Sequence, residues 1–260
     1  MKISLVVTTY NRPDALNLVL KSIAQQSIKP FEVIIADDGS TEETNNAIEN
    51  FRRYYDINLV HSWQKDKGFR ASRSRNKAIA KSVGDYIVLV DGDMILDQYF
   101  VEDHMKYSEE GFFIQGSRVF LSKELTSKVL SHNRIKFNFY QKGLSNRKNA
   151  IRSRLLSNIF SNIGNDISGV KTCNMSFFKH DFYSVNGFNN SFQGWGREDS
   201  EFVVRLKNNG INRKNIRFSA IQYHLWHSME NRKSLVENDK LLERAIKEKL
   251  KWCESGVSQF

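Results

Sequence analysis

The chain has 260 residues, 40% of them hydrophobic and 26% charged, with a formal net charge of +10 and a pI near 9.5. That is room for one large domain or two small ones with a substantial core, in an ordinary globular composition. No apolar run approaches the roughly 20 residues that span a bilayer, and two cysteines, Cys173 and Cys253, exclude a disulfide framework. The expected location is therefore a reducing cytoplasm, with both thiols buried or idle. The basic surface attracts phosphate in any form, whether nucleic acid, lipid headgroup or nucleotide, and by itself does not choose.

The opening "MKISLVVTTYNRPDAL" has no small-residue cleavage site, and its apolar run 3–10 reads as a strand covered on both faces. A helix is expected from Pro13, with Leu16, Val19, Leu20 and Ile23 at helical spacing. "FEVIIADDGS" (31–40) is a second buried strand, "TEETNNAIENFRRYY" a helix and "INLVHSW" a third strand. "ASRSRNKAIAKSVG" reads as a helix closed by Gly84, and "DYIVLVDGD" as a fourth strand. This alternation predicts an α/β fold with a mostly parallel, Rossmann-like sheet and helices on both faces. Ligands bind beyond the carboxyl ends of such strands, where three polar clusters fall: Thr8–Arg12, Asp37–Ser40 and Asp91–Asp93.

From about residue 111 the character changes. "GFFIQGSRVFLS" reads as a strand pair, and residues 128–165 carry eight Lys or Arg and no Asp or Glu. "RKNIRFSAIQYHLWH" is strand-like. A final amphipathic helix is expected over about 233–253, with Leu235, Leu242, Ile246, Leu250 and Cys253 as its apolar stripe. Three parts are expected: a nucleotide-binding half at 1–110, a catalytic half at 111–230 and the terminal helix at 231–260.

The chemistry-bearing motifs each have a bland reading beside a functional one. Asp91-Gly92-Asp93 is either a turn or a pair of carboxylates converging on Mg²⁺ or Mn²⁺. Asp37 and Asp38 end a strand, and could also accept hydrogen bonds from a base or ribose. Lys65, Lys67, Arg70, Arg73 and Arg75 surround a helix start, which is a solvated basic face or a diphosphate site. In "GWGREDSEF", Glu198 and Asp199 complement a helix dipole or stand beside Trp195 as a sugar platform with its base. His224 and His227, three apart, offer one histidine as a third metal ligand.

Together these stretches resemble the family-2 glycosyltransferases of the GT-A fold, in particular those whose C-terminal half is similar to β-1,4-galactosyltransferases. The chain is also similar to the N-acetylgalactosamine-transferring half of bacterial chondroitin polymerases. "VVTTYNRPDAL", "IIADDGS", "QKDKGFRASRSRN", "DYIVLVDGDM", "VNGFNNSFQGWGREDSEFVVRL" and the HxxH of "YHLWH" occur in the family's order across roughly 1–230. The resemblance implies that Thr8, Tyr10, Arg12 and Asp37 or Asp38 line a uridine pocket, with Arg70 and Arg75 toward the diphosphate. Asp93, helped by Asp91, would hold Mn²⁺ (or Mg²⁺), and His227 matches the distal ligand better than His224. Trp195 would floor the acceptor site, Glu198 would hold sugar hydroxyls, and Asp199 would be the general base, ionised at pH 7 like any ordinary Asp. Arg197 stands where the galactosyltransferases commonly have a second glycine, so it would pair with Glu198 or meet an anionic acceptor.

The implied activity is inverting, metal-dependent transfer of a hexose or N-acetylhexosamine from UDP-Gal, UDP-GalNAc or UDP-GlcNAc. The acceptor would be a glycan or lipid-linked glycan of a bacterial surface polysaccharide or lipopolysaccharide. A nucleotidyltransferase would explain the DxD and the basic helix start but not Gly-Trp-Gly with Glu-Asp and HxxH. A non-catalytic glycan-binding module would need no intact DxD, base or histidine, yet all three are present. Nucleic-acid motifs are lacking. The acid-free stretch 128–165 is either a solvated loop or a contact to anionic lipid at the inner face of the cytoplasmic membrane.

Overall fold

The computed structural model describes residues 1–164, 166–228 and 232–260. Its first part alternates β1 (Ile3–Thr9), α1 (Pro13–Ala24), β2 (Glu32–Asp37), α2 (Glu42–Tyr54), β3 (Leu59–Trp63), α3 (Ala71–Ala80) and β4 (Tyr86–Asp91). These strands lie side by side in the order β3-β2-β1-β4, every pair parallel. Burial explains the continuous apolar runs, because successive residues of one strand feed opposite faces of the sheet. Leu5, Val7, Ile35 and Val88 pack with Leu16 and Val19 of α1 and Phe51 of α2. Val6, Ile34, Ile87 and Leu89 pack on the other face with Ala78 and Ile79 of α3.

The chain continues through β5 (Met94–Leu96), α4 (Phe100–Tyr107), β6 (Phe112–Gln115), β7 (Val119–Leu121), α5 (Lys123–Ser131), β8 (Leu144–Ser145), α6 (Arg154–Phe160) and β9 (Asn162–Gly164). It closes with β10 (Asn174–Phe178), α7 (Lys179–Ser184), α8 (Glu198–Asn208), β11 (Asn212–Asn215), β12 (Gln222–His224) and α9 (Leu235–Lys247). The large sheet is extended past β4 by β10, β6, β11 and β9. Pairing there is mixed: β10 runs antiparallel to both β4 and β6, whereas β11 is parallel to β6. A smaller sheet, β5-β12-β7-β8, packs on the other side of α1 through Ile95, Val119, Leu121, Tyr223, Ala15 and Leu18.

Several local expectations are corrected. The helix expected to close at Gly84 stops at Ala80, closed by the Lys81 N–H on the carbonyls of Ala78 and Ile79. Gly84 is needed for another reason: a Cβ there would stand 2.4 Å from Ser4 Oγ and 2.7 Å from the Lys2 carbonyl oxygen. The strand pair at 111–122 is two strands of different sheets, β6 and β7. "RKNIRFSAIQYHLWH" is likewise split, β11 joining the large sheet and β12 the small one. The basic stretch 128–165 is no plain loop, since it holds the end of α5, then β8, α6 and β9. The terminal helix ends at Lys247, and its inner face is centred on Asn238 and Ala245 with Leu235 and Leu242 half-buried; Ile246 points outward. That face packs on the body against α8.

Candidate active site

The three polar clusters meet at the carboxyl edge of the parallel sheet because β2, β1 and β4 are neighbours in register. Thr9 lies opposite Asp37 and Thr8 opposite Asp91. Asp37 is fully buried and spends its oxygens locally, accepting from the backbone N–H of Gly39 and Ser40 and meeting His61 Nε2 at 2.9 Å. Burial pushes its carboxyl up, but the His61 and Ser40 hydrogen bonds outweigh that and leave it below the usual carboxylate range. Asp38 accepts from Gln64 Nε2 and from the Arg70 backbone N–H at 2.6 Å, which ties the second strand's end to the start of α3. Burial prevails at Asp38 and raises its carboxyl. Gly39, at φ +103°, lets the 64–68 loop approach: a Cβ there would stand 2.5 Å from the Asp66 backbone. Tyr10 is exposed and donates to Asp66 at 2.9 Å. Arg12 is half-buried against Asp14. The Arg70 guanidinium turns back onto the Lys65 carbonyl.

Between the two carboxylates of Asp91-Gly92-Asp93, Gly92 sits tight on β1. Its N–H donates to the Thr8 carbonyl at 2.7 Å, and an added Cβ would lie 3.0 Å from both that oxygen and Thr9 Oγ1. The chain turns there and re-enters as β5, where β12 pairs with it antiparallel, His224 opposite Met94. The Leu225 N–H completes the match on the Asp93 carbonyl at 3.0 Å. This small sheet delivers both histidines to one carboxylate, each Nε2 lying 3.4 Å from Asp93 Oδ2. One ligand atom from each of Asp93, His224 and His227 falls within 4.8 Å of the others. The other carboxylate oxygen, Asp93 Oδ1, is buried and has no partner among the described residues. Burial raises the Asp93 carboxyl, but the His224 hydrogen bond and the charges of His224, His227 and Arg12 bring it below the usual range. Two imidazoles and an ionised carboxylate with an orphaned oxygen form a donor set that fits Mn²⁺ or a similar divalent ion.

Arg75, on α3, joins this edge to the second half of the chain. It is 5% exposed, and its Nε reaches Thr8 Oγ1 at 3.2 Å. Its two Nη atoms face Asp91 Oδ1 at 3.5 Å and Glu198 Oε1 at 3.3 Å. The guanidinium is thus a buried floor between two carboxylates. Asp91 is held above its ordinary pKa, with withdrawal from water the larger influence over Arg75.

Glu198 and Asp199 are the first two residues of α8, so they complement its positive end. Asp199 departs from the sequence expectation of an ordinary carboxylate: burial, aided by the charge of Glu198, pushes it up to about 7 against the pull of Arg75. The preceding loop is built on positive φ, at Gly194 (+70°), Gly196 (+107°) and Arg197 (+76°). Arg197 therefore occupies backbone that suits glycine. Its guanidinium pairs with Asp239 of α9, at 2.5 Å, rather than with Glu198. Trp195 is 40% exposed, with the Arg232 guanidinium 5.1 Å from its ring centre.

The HxxH spacing points to both histidines and the resemblance ranks His227 above His224, yet the two lie equally close to Asp93. Arg118 had no motif at all. Its guanidinium rests on Cys173 Sγ at 3.5 Å and over Phe120 at 4.7 Å. Only the ladders reveal its place, since Asn174 pairs with Val90 beside Asp91, and Phe120 pairs with His224.

Comparison with known proteins bears on the family and the fold. The profile of glycosyl transferase family 2 matches residues 4–178, and that of the N-terminal domain of galactosyltransferase matches 156–228. Chondroitin synthase of Escherichia coli is 27% identical over 249 residues, covering 85% of this chain and 34% of the relative. Hyaluronan synthase of Pasteurella multocida is 38% identical over 104 residues, 40% of this chain and 10% of the relative. The chain thus spans about a third or less of these relatives' length. Among solved structures, S. aureus TarS 1–349 superposes with a TM-score of 0.66 at 17% identity, covering 96% of this chain and 65% of that one. That likeness speaks to the fold, GT-A.

Proposed function

The chain belongs to glycosyl transferase family 2, and from that premise we propose that it transfers a hexose or N-acetylhexosamine from a UDP-sugar to a glycan hydroxyl, with inversion and with a divalent metal. The observation that carries the reading is the clustering of Asp93, His224 and His227, two residues from Asp91, which the Arg75 floor joins to Glu198, the neighbour of Asp199. A TarS structure contains UDP-GlcNAc, which supports a UDP-sugar as the donor class. The chondroitin and hyaluronan synthases among the relatives support a polysaccharide or lipid-linked glycan as acceptor. The basic stretch 128–165 supports a contact with anionic lipid near that acceptor.

In this reading Asp93, His224 and His227 would hold Mn²⁺ or Mg²⁺, and the ion would supply positive charge to offset that developing on a departing diphosphate. Thr8, Tyr10, Arg12 and Asp38 border the base and ribose, while Asp37 fixes the turn that presents Asp38. Arg75 orients Asp91 on the donor side and Glu198 on the acceptor side. Arg70 and Arg118 add positive charge beside the diphosphate. Trp195 stacks the acceptor ring, and Glu198 aligns its hydroxyls. Asp199 takes the proton of the attacking hydroxyl as the new glycosidic bond forms and the anomeric bond to UDP breaks.

The test is a panel of UDP-sugars with Mn²⁺, scored for donor hydrolysis and then for transfer to glycan acceptors. One donor should be consumed faster than the rest, and chelation should abolish its turnover. A protein that binds no UDP in the presence of Mn²⁺ sinks the proposal.

A further inference from the structure

Among the described residues, no backbone hydrogen bond joins one part of the Gly-Trp-Gly loop (193–197) to another. Its first end is pinned to the nucleotide half by the Gly194 N–H on the Phe69 carbonyl at 3.0 Å, and just past its other end Glu198 meets Arg75. The remainder is clasped by α9, which lies beyond both matched family regions. Asn238 is 2% exposed, and its side-chain amide donates to the carbonyl of Gln193 at 3.2 Å and of Gly196 at 2.9 Å. Those two carbonyls flank Trp195 in sequence, so one amide group orients the peptide planes on both sides of the indole. The glycines admit the helix: a Cβ at Gly194 would stand 2.3 Å from Ser234 Oγ, and one at Gly196 would stand 3.2 Å from Leu235 Cδ1. Asp239 tethers Arg197, the strained residue immediately before Glu198.

We propose that Asn238 is a positioning residue of the acceptor site, its carboxamide bridging the two carbonyls around Trp195 so that Trp195, Glu198 and Asp199 face the incoming hydroxyl. Asp239 is its auxiliary through Arg197. The assignment rests on the glycosyltransferase reading for what the loop does, but not for what holds it. A free Gly-rich loop samples many conformations; fixing it in advance lowers the ordering cost paid on acceptor binding. The donor and metal side are built by other elements, so the effect falls on the acceptor.

Asn238→Ala should speed amide hydrogen exchange across 193–199 by tenfold or more. It should raise the acceptor KM by a similar factor and leave the Kd for UDP with Mn²⁺ unchanged. Asp239→Asn, at a half-exposed position that does not threaten folding, should move exchange and acceptor KM in the same direction by a few-fold. A folded Asn238→Ala protein with unchanged exchange at 193–199 overturns the proposal, as does a loss of UDP affinity matching the loss in acceptor KM. If Asn238→Ala does not fold, unchanged exchange in Asp239→Asn decides against it. Absence of UDP binding in the unmodified protein would instead strike the glycosyltransferase reading, and the exchange data would still report on the clasp.

Discussion

Asp199 gains its character from where it sits rather than from its type. Held at about 7 by burial and by Glu198, it is poised near the working pH, which suits a proton acceptor better than an ordinary Asp does. The base acts ionised, so kcat/KM should climb as pH rises through about 7 and fall roughly tenfold per unit below it. A profile flat from pH 5 to 8 would show that this carboxylate does not limit transfer. The same shift has a stability consequence with a definite sign. A carboxyl raised in the folded state favours the protonated protein, so its contribution is intact below the unfolded pKa and is lost as pH rises through about 7. Asp199→Asn should therefore abolish transfer yet raise the melting temperature at pH 8, with the gain shrinking toward pH 4. At the other pole, Asp93→Ala and His224→Ala should each weaken Mn²⁺-dependent UDP binding at least tenfold by calorimetry, with His227→Ala alike. Unchanged affinity in all three removes the cluster from the metal site.

At the scale of elements, the site depends on how tightly β1 and β4 close around Gly92. A methyl at 92 would press on the Thr8 carbonyl and Thr9 Oγ1, and overpacking of this kind costs about 1–3 kcal/mol. The strain would fall on the turn that aims Asp91 and Asp93. Gly92→Ala should thus lower the urea midpoint and weaken Mn²⁺ binding together; a drop in stability with intact metal affinity would mean that the turn absorbs the methyl elsewhere. Elements such as β1, β2 and β4 were legible in the sequence because burial on both faces leaves an uninterrupted apolar run. Their edge motifs were legible for the same reason, since Thr8, Asp37 and Asp91 each stand where such a run stops. What escaped was set by pairing. Nothing local tells β6 from β7, or β11 from β12, because the sheet each joins is decided by partners distant in sequence. Arg118 and Asn238 were invisible on the same account: a basic residue between short strands and a polar residue in an amphipathic helix acquire meaning only from the ladder or loop they meet.

At the scale of the molecule, the boundary drawn near residue 110 falls within a shared sheet. β10, from residues 174–178, is hydrogen-bonded along β4 from Tyr86 to Val90, and β12 closes on β5 directly after Asp93. β12 carries His224 of the site and β10 covers β4 up to Val90, beside Asp91, so the two halves of the cleft are assembled by strands that also complete the core. A fragment 1–110 would leave β4 as an edge whose Tyr86–Val90 segment, fully buried in the whole chain, faces water as a long apolar strand. Such edges template aggregation. The fragment should accordingly be insoluble or molten, binding neither Mn²⁺ nor UDP, for it lacks both histidines. The whole chain should unfold in a single transition, with near-UV and far-UV signals coinciding, and saturating Mn²⁺ with UDP should raise that transition by mass action on the folded state alone. Two separated transitions, only one responding to the nucleotide, would mean that the parallel strands β3-β2-β1-β4 hold together without β10 and that the site is assembled by docking of preformed parts.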